Sequence, residues 1–174
     1  DPCSRILKRD LSKRWLAENA PDAALIFGYD WTEMHRHERT VERWAPRQVL
    51  SPLTESPYLL RSELLADLEA RGVRPPRLYG LGFSHNNCGG GCVKAGVGHF
   101  VHLLDRLPEV YATWERKEAE MRDLLGDVSI LRDRSGSTTT PLTLAALRER
   151  HEAGNVGQDS LWDVGGCACF EDAA

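Results

Sequence analysis

The stretch from Tyr79 to Lys94 constrains this chain most: it reads YGLGFSHNNCGGGCVK, with five glycines and two cysteines set between apolar segments. Three consecutive glycines let the backbone turn tightly without Cβ clashes, so Cys88 and Cys92 can face one small object. Ser84, Asn86 and Asn87 are turn and cap residues rather than strand formers. Val93, Val97, Phe100, Val101 and Leu104 then recur at helical spacing, which predicts a helix over 93–104 with the thiols where loop becomes helix. Backbone N–H groups and the positive end of a helix dipole meet at such a place, and both favour thiolate over thiol. The plain alternative is a glycine-rich turn whose cysteines are small buried hydrophobes. Further thiols at Cys3, Cys167 and Cys169 favour a site.

At 174 residues, 41% hydrophobic and 28% charged, the chain suits one domain with a real core. Residues 1–80 read as an α/β part, and 81–174 as the cysteine loop, helices and a cysteine-containing tail. No apolar run approaches the roughly 20 residues that span a bilayer. Asp1-Pro2-Cys3 leads directly into charged residues, so the expectation is no secretory leader, no membrane and a cytoplasmic location. With no initiator Met and an opening that resembles a helix entry, the sequence is expected to be a fragment or a processed product. A net charge of −4 gives no global attraction to nucleic acid, leaving a local patch at Arg5, Lys8, Arg9, Lys13 and Arg14. Five cysteines, an odd number, point to metal or redox chemistry over a disulfide framework.

Residues 4–19 read as an amphipathic helix whose apolar stripe is Ile6, Leu7, Leu11, Trp15 and Leu16. Residues 23–28 form a continuous apolar run, the pattern of a parallel strand buried on both faces, and 48–53 is a second strand candidate. Polar groups at the C-terminal end of such a strand are where open α/β sheets bind ligands. Glu33, His35 and Arg36 therefore can hold a nucleotide or an oxyanion, or equally form a solvated helical turn capped by Thr32. His37, Glu38, Arg39, Glu42 and Arg43 read as an exposed charged face. A helix over 58–70, on Leu59, Leu60, Leu64, Leu65 and Leu68, ends at Gly72.

Beyond the loop, His99 and His102 fall roughly opposite the apolar stripe and are expected to face solvent or a partner. Lys94, expected one turn into that helix, adds positive potential near the thiolates. A long scaffold helix follows from about Pro108 to Leu125, stopped by Gly126. A last short helix is expected from Pro141 to Arg150, with Thr140 as N-cap and Pro141 at its first position. In the glycine-rich tail, Cys167 and Cys169 give a reason to fold back. A closed site of four thiolates can draw on Cys3, Cys88, Cys92 and one of Cys167 or Cys169, and spacing does not separate zinc from an iron–sulfur cluster. The thiol left over, Cys167 or Cys169, can alternatively act on a sulfur substrate.

These residues carry a family likeness. Cys3 with Arg5-Ile6-Leu7-Lys8 and Trp15, then Gly28-Tyr29-Asp30 with Glu33 and Arg36, then Pro76 through Phe83 to Cys88 and Cys92, resemble the phosphoadenosine phosphosulfate reductase family of the adenine nucleotide α-hydrolase (PP-loop) superfamily. The likeness is to that family's C-terminal two thirds. It implies an N-terminally incomplete α/β fold with a short, mostly parallel sheet and a helical C-terminal part around the cysteines. It also implies a [4Fe-4S] cluster, with zinc as the alternative, on Cys3, Cys88, Cys92 and Cys169. The implied activity is that of a sulfonucleotide reductase or ATP-dependent sulfurtransferase acting on an adenine nucleotide or sulfonucleotide. Thiolation of tRNA or phosphorothioation of DNA is the alternative within the superfamily, and a non-catalytic metal-stabilised module is the alternative outside it. Homo-oligomerisation is compatible with either. The sequence departs from the family pattern in having one early cysteine, a C-x₃-C pair and no Ser-Gly-Gly-x-Asp-Ser phosphate loop. ATP or adenylyl sulfate is accordingly expected only if such a loop lies upstream.

Overall fold

The computed structural model describes residues 5–134, 137–163 and 165. The chain forms two compact units that divide between Arg74 and Pro75. Cys3, Cys167 and Cys169 lie outside the described residues, as does most of the tail.

In the first unit a π-helical turn, Arg5–Arg9, runs into helix α1, Asp10–Asn19. The apolar stripe expected to be core faces outward instead: Ile6, Leu7, Leu11 and Trp15 are each more than half exposed. Strand β1, Leu25–Ile26, pairs in parallel with β2, Val49–Leu50, so the expected parallel arrangement is present in a pair two residues long. Leu25 N–H donates to Gln48 O and Phe27 N–H to Leu50 O, each at 2.9 Å. Burial on both faces is not found, since Ile26 is 73% exposed. Two-sided burial needs helices over both faces of a wider sheet, and among the described residues this sheet has two strands.

Between the strands Asp30, rather than Thr32, caps the chain. Its Oδ1 accepts from Thr32 N–H at 2.8 Å, while Glu33 Oε2 accepts from Asp30 N–H at 3.4 Å, closing a capping box over the 3₁₀ turn Trp31–Glu33. Helix α2, Met34–Trp44, follows directly. It is tied down by Tyr29 Oη and Thr40 Oγ1 at 3.2 Å and by His37 Nδ1 and Ser51 Oγ at 2.9 Å. His37 thus leaves the exposed face expected for it, because Ser51 at the end of β2 supplies a partner. Helix α3, Arg61–Ala70, buries no residue; Leu64 and Leu65 are half-buried, and Leu59, Leu60 and Leu68 are exposed.

The second unit holds a short helix α4, Arg77–Gly80, then α5, Val97–Arg106, and the long α6, Pro108–Leu125. The hairpin β3, Leu131–Asp133, and β4, Thr140–Leu142, is antiparallel, and α7, Leu144–Glu152, and α8, Gln158–Leu161, follow. Phe100, Leu103, Tyr111, Leu144 and Leu147 are the fully buried centre. Helix α6 has the expected bounds, with Pro108 in its first turn and Gly126 leaving it at φ 80°. The last helix does not: Pro141 lies in β4, and α7 begins at Leu144 with Thr143 as its cap, its Oγ1 accepting Ala146 N–H at 3.1 Å. Leu142 opposite Leu131, both 3% exposed, fixes the hairpin, and a two-stranded edge accommodates a proline. Among the described residues no helix is long and apolar enough to cross a membrane.

One buried side chain joins these pieces. Glu118, 5% exposed on α6, accepts Ile130 N–H at 2.7 Å and Leu144 N–H at 2.6 Å. Tyr111, two turns earlier on the same face of α6, donates its hydroxyl to Leu144 O at 2.7 Å. Removing the carboxylate strands one buried and one part-buried donor, so Glu118→Ala should destabilise the protein by on the order of 2–4 kcal/mol, with Glu118→Gln costing roughly half as much. Urea unfolding checks this; an alanine variant with an unchanged midpoint would show that the two bonds carry no stability.

Candidate functional site

The cysteine loop precedes α5 by a full turn of chain rather than opening the helix. Helix α5 starts at Val97; Val93 and Lys94 form a turn closed by Ala95 N–H donating to Cys92 O at 2.9 Å, and Ala95 bridges to Gly165. Lys94 is therefore ahead of the helix, not one turn into it. Two close approaches set the helix start. A Cβ on Gly96 would lie 2.2 Å from the Asp163 carbonyl oxygen and one on Gly98 2.0 Å from the Leu161 carbonyl oxygen, so the chain leaving α8 lies directly on the first turn of α5.

Within the loop, Asn87–Gly90 forms a 3₁₀ turn in which Cys88 (φ 52°), Gly89 (φ 62°) and Gly90 (φ 96°) are successively left-handed. The left-handed region costs a non-glycine residue roughly 1–2 kcal/mol. Cys88 holds it because the loop is fastened from two sides, as such strained residues require. His99, 4% exposed, donates its Nε2–H to Gly90 O at 2.6 Å; a carbonyl only accepts, which fixes the tautomer. On the other side Gly91 lies flat on Trp114, where a Cβ would come 1.6 Å from Nε1. Cys88 is left exposed at the loop surface and Cys92 sits 4% exposed within the core.

The expectation that His99 and His102 face solvent is overturned. His102 Nε2–H donates to Leu81 O at 2.8 Å, and both rings pack edge-on against Phe83 at 4.5–5.3 Å between centroids. The periodicity of α5 alone misplaces them, because the residue 81–91 segment returns over that helix face. His85 stacks on His99 at 5.0 Å and 20°, and both its ring nitrogens are buried with no hydrogen-bond partner among the described residues. Burial holds His99 below its ordinary pKa of 6.5; the bond to Gly90 opposes this, and His85 and then His102 reinforce it.

In the first unit Glu33 and Arg36 are an ion pair, with the Arg36 guanidinium 4.8 Å from the Tyr29 ring centre. Glu33 also completes the capping box, and His35 is exposed. The two side chains thus serve the turn that follows β1, while His35 points to solvent.

Cys88 and Cys92 are the described residues of the expected ligand set, one exposed and one buried. Among the described residues no three His, Cys, Asp or Glu side chains gather closely enough to hold a metal ion. The sequence reading missed the His99 tether and Trp114. Its available signal was the His99-x₂-His102 pair, one turn apart beside a glycine-rich segment that needed an anchor. Comparison with family models, with curated proteins and with solved structures finds no match to this chain.

Two outcomes follow from the loop. Gly91→Ala should cost about 1–3 kcal/mol through overpacking against Trp114, and the loss should shrink in a Trp114→Ala background; equal losses in both would contradict the contact. For His99, the unfolded chain binds a proton more readily than the folded one, so stability rises with pH. Its contribution is complete above 6.5 and lost as pH falls through the lower folded value. Wild type should therefore lose urea resistance more steeply than His99→Gln, which keeps a donor for Gly90, as pH falls from 6.5 toward that lower value; parallel pH profiles would refute it.

Proposed function

We propose that the chain is a thiol-centred protein of the sulfonucleotide-reductase or ATP-dependent sulfur-transfer kind, built on an adenine nucleotide α-hydrolase-like fold. The observation that carries this reading is the Cys88–Cys92 loop. A non-glycine residue in the left-handed region, on a loop fastened by His99 and Trp114, presents one thiol at the surface, and a second thiol four residues on is buried. A loop fastened this firmly around two thiols suits ligation or sulfur chemistry better than simple packing.

In this reading Cys88 and Cys92 supply two thiolates, and Cys3 with one of Cys167 or Cys169 the others, to an iron–sulfur cluster or zinc. Such a centre supplies charge stabilisation, or electrons in the case of the cluster. The chain's own contribution is to hold the loop geometry through Gly90 and Gly91 and to keep Cys92 away from water. The parallel β1–β2 pair, with polar residues following β1, agrees with a nucleotide-binding α/β fold; adenine nucleotide or sulfonucleotide is the substrate class proposed, and a tRNA or DNA acceptor the variant of it. One observation favours the non-catalytic reading: Cys92 is part of the hydrophobic core, where a thiolate–metal bond would serve folding.

Anaerobic purification followed by iron, sulfide and zinc analysis tests the proposal. Stoichiometric iron and sulfide with a broad visible absorption band are expected, and Cys88→Ser and Cys92→Ser should each lose both. Stoichiometric zinc without colour would replace the cluster by the metal-stabilised module. Protein that carries neither metal, in wild type and variants alike, overturns the centre altogether.

A further inference from the structure

The second unit has a cleft of about 800 Å³ between the β3–β4 hairpin, α7 and the chain leading into α8. A smaller cavity of about 340 Å³ adjoins it, sharing Val97, Arg132, Arg134 and Asp163 as walls. The described walls carry four cations, Lys94, Arg132, Arg134 and Arg150, against two carboxylates, Asp133 and Asp163. This positive lining stands in a chain whose net charge is −4. The carboxylates are already engaged: Asp133 Oδ2 accepts from Arg150 at 2.5 Å, and Asp163 lies 3.7 Å from Arg134. Arg132 differs from these neighbours. Its side chain makes no hydrogen bond or ion pair among the described residues, and it lines both cavities.

The floor beneath the arginines is apolar, made by Val97, Leu142, Leu147 and Val156. A guanidinium free to form a paired contact over an apolar floor is the arrangement that holds an oxyanion at one end of an apolar body. The volume falls within the roughly 300–1,000 Å³ typical of small-molecule sites. A nucleic-acid strand fits less well, because carboxylates alternate with the arginines along the wall where a polyanion needs a continuous basic track.

We propose that this cleft binds a small organic phosphate, its oxyanion on Arg132 with Arg134 and Lys94 alongside, and its apolar body against Val156 and Leu142. The site does not depend on the thiol centre, and its test needs no metal. Isothermal titration of the full chain with naphthyl phosphate should give saturable one-to-one binding. Naphthol, without the anion, should not bind, and inorganic phosphate should bind more weakly. Arg132→Glu, an exposed position whose urea midpoint serves as the folding control, should weaken naphthyl phosphate about tenfold or more. Val156→Ser should weaken naphthyl phosphate and leave inorganic phosphate unchanged. Naphthyl sulfate distinguishes the source of the oxyanion: equal affinity assigns the site to oxyanion esters generally and overturns the phosphate assignment. No saturable binding, or binding indifferent to Arg132→Glu, overturns the site. Tighter, steeply salt-dependent binding of a single-stranded oligonucleotide that Arg132→Glu abolishes replaces the small phosphate by nucleic acid.

Discussion

The Glu118 carboxylate takes backbone N–H groups from two places that are distant along the chain, one just ahead of β3 and one at the first residue of α7. A buried polar group is tolerable when it is hydrogen-bonded, and here each of the two oxygens accepts one bond. The consequence is that the hairpin and α7 are referred to a single point on α6. The same helix lays Trp114 against Gly91 and sends the Tyr111 hydroxyl to Leu144 O. Arg148 then closes over the Tyr111 ring and pairs with Glu115 through two hydrogen bonds of 3.1 and 2.7 Å, so α7 is fixed in rotation as well as position. The thiol loop and the elements that wall the arginine cleft are therefore set from one rod.

What could be read from the residues depended on the range of the interaction. The ends of α6 were legible because Pro108 and Gly126 act within a turn of themselves. A short parallel arrangement was legible from apolar runs of suitable length, though not that only two residues of each strand would pair. Thr140-Pro141 looked like a helix start, and locally it is a good one; the pairing of Leu142 with Leu131 outweighed it and moved the cap to Thr143. His99 and His102 were misplaced for a similar reason, since helical periodicity cannot show that a preceding loop returns over the polar face. The exposed stripe of α1 shows the converse: Leu11 and Trp15 keep helical spacing while facing outward.

The thiol loop itself was the most legible feature, and its internal construction the least. Glycines announced a tight turn, but that Cys88 would share the left-handed conformation with Gly89 and Gly90 follows only from the anchors at either side. Burial separates the two thiols into different environments a few residues apart. Lys94 extends from this loop into the wall of the smaller cavity, so the segment after Cys92 belongs to both places of chemical interest.

The contact between Gly91 and the Trp114 indole has a spectroscopic meaning as well. An indole nitrogen pressed against the peptide next to a thiol senses any metal, oxidation or opening there as a change in its emission. The protein carries five tryptophans, and with the other four replaced this ring would become an internal optical gauge of the state of the cysteines, needing no attached dye.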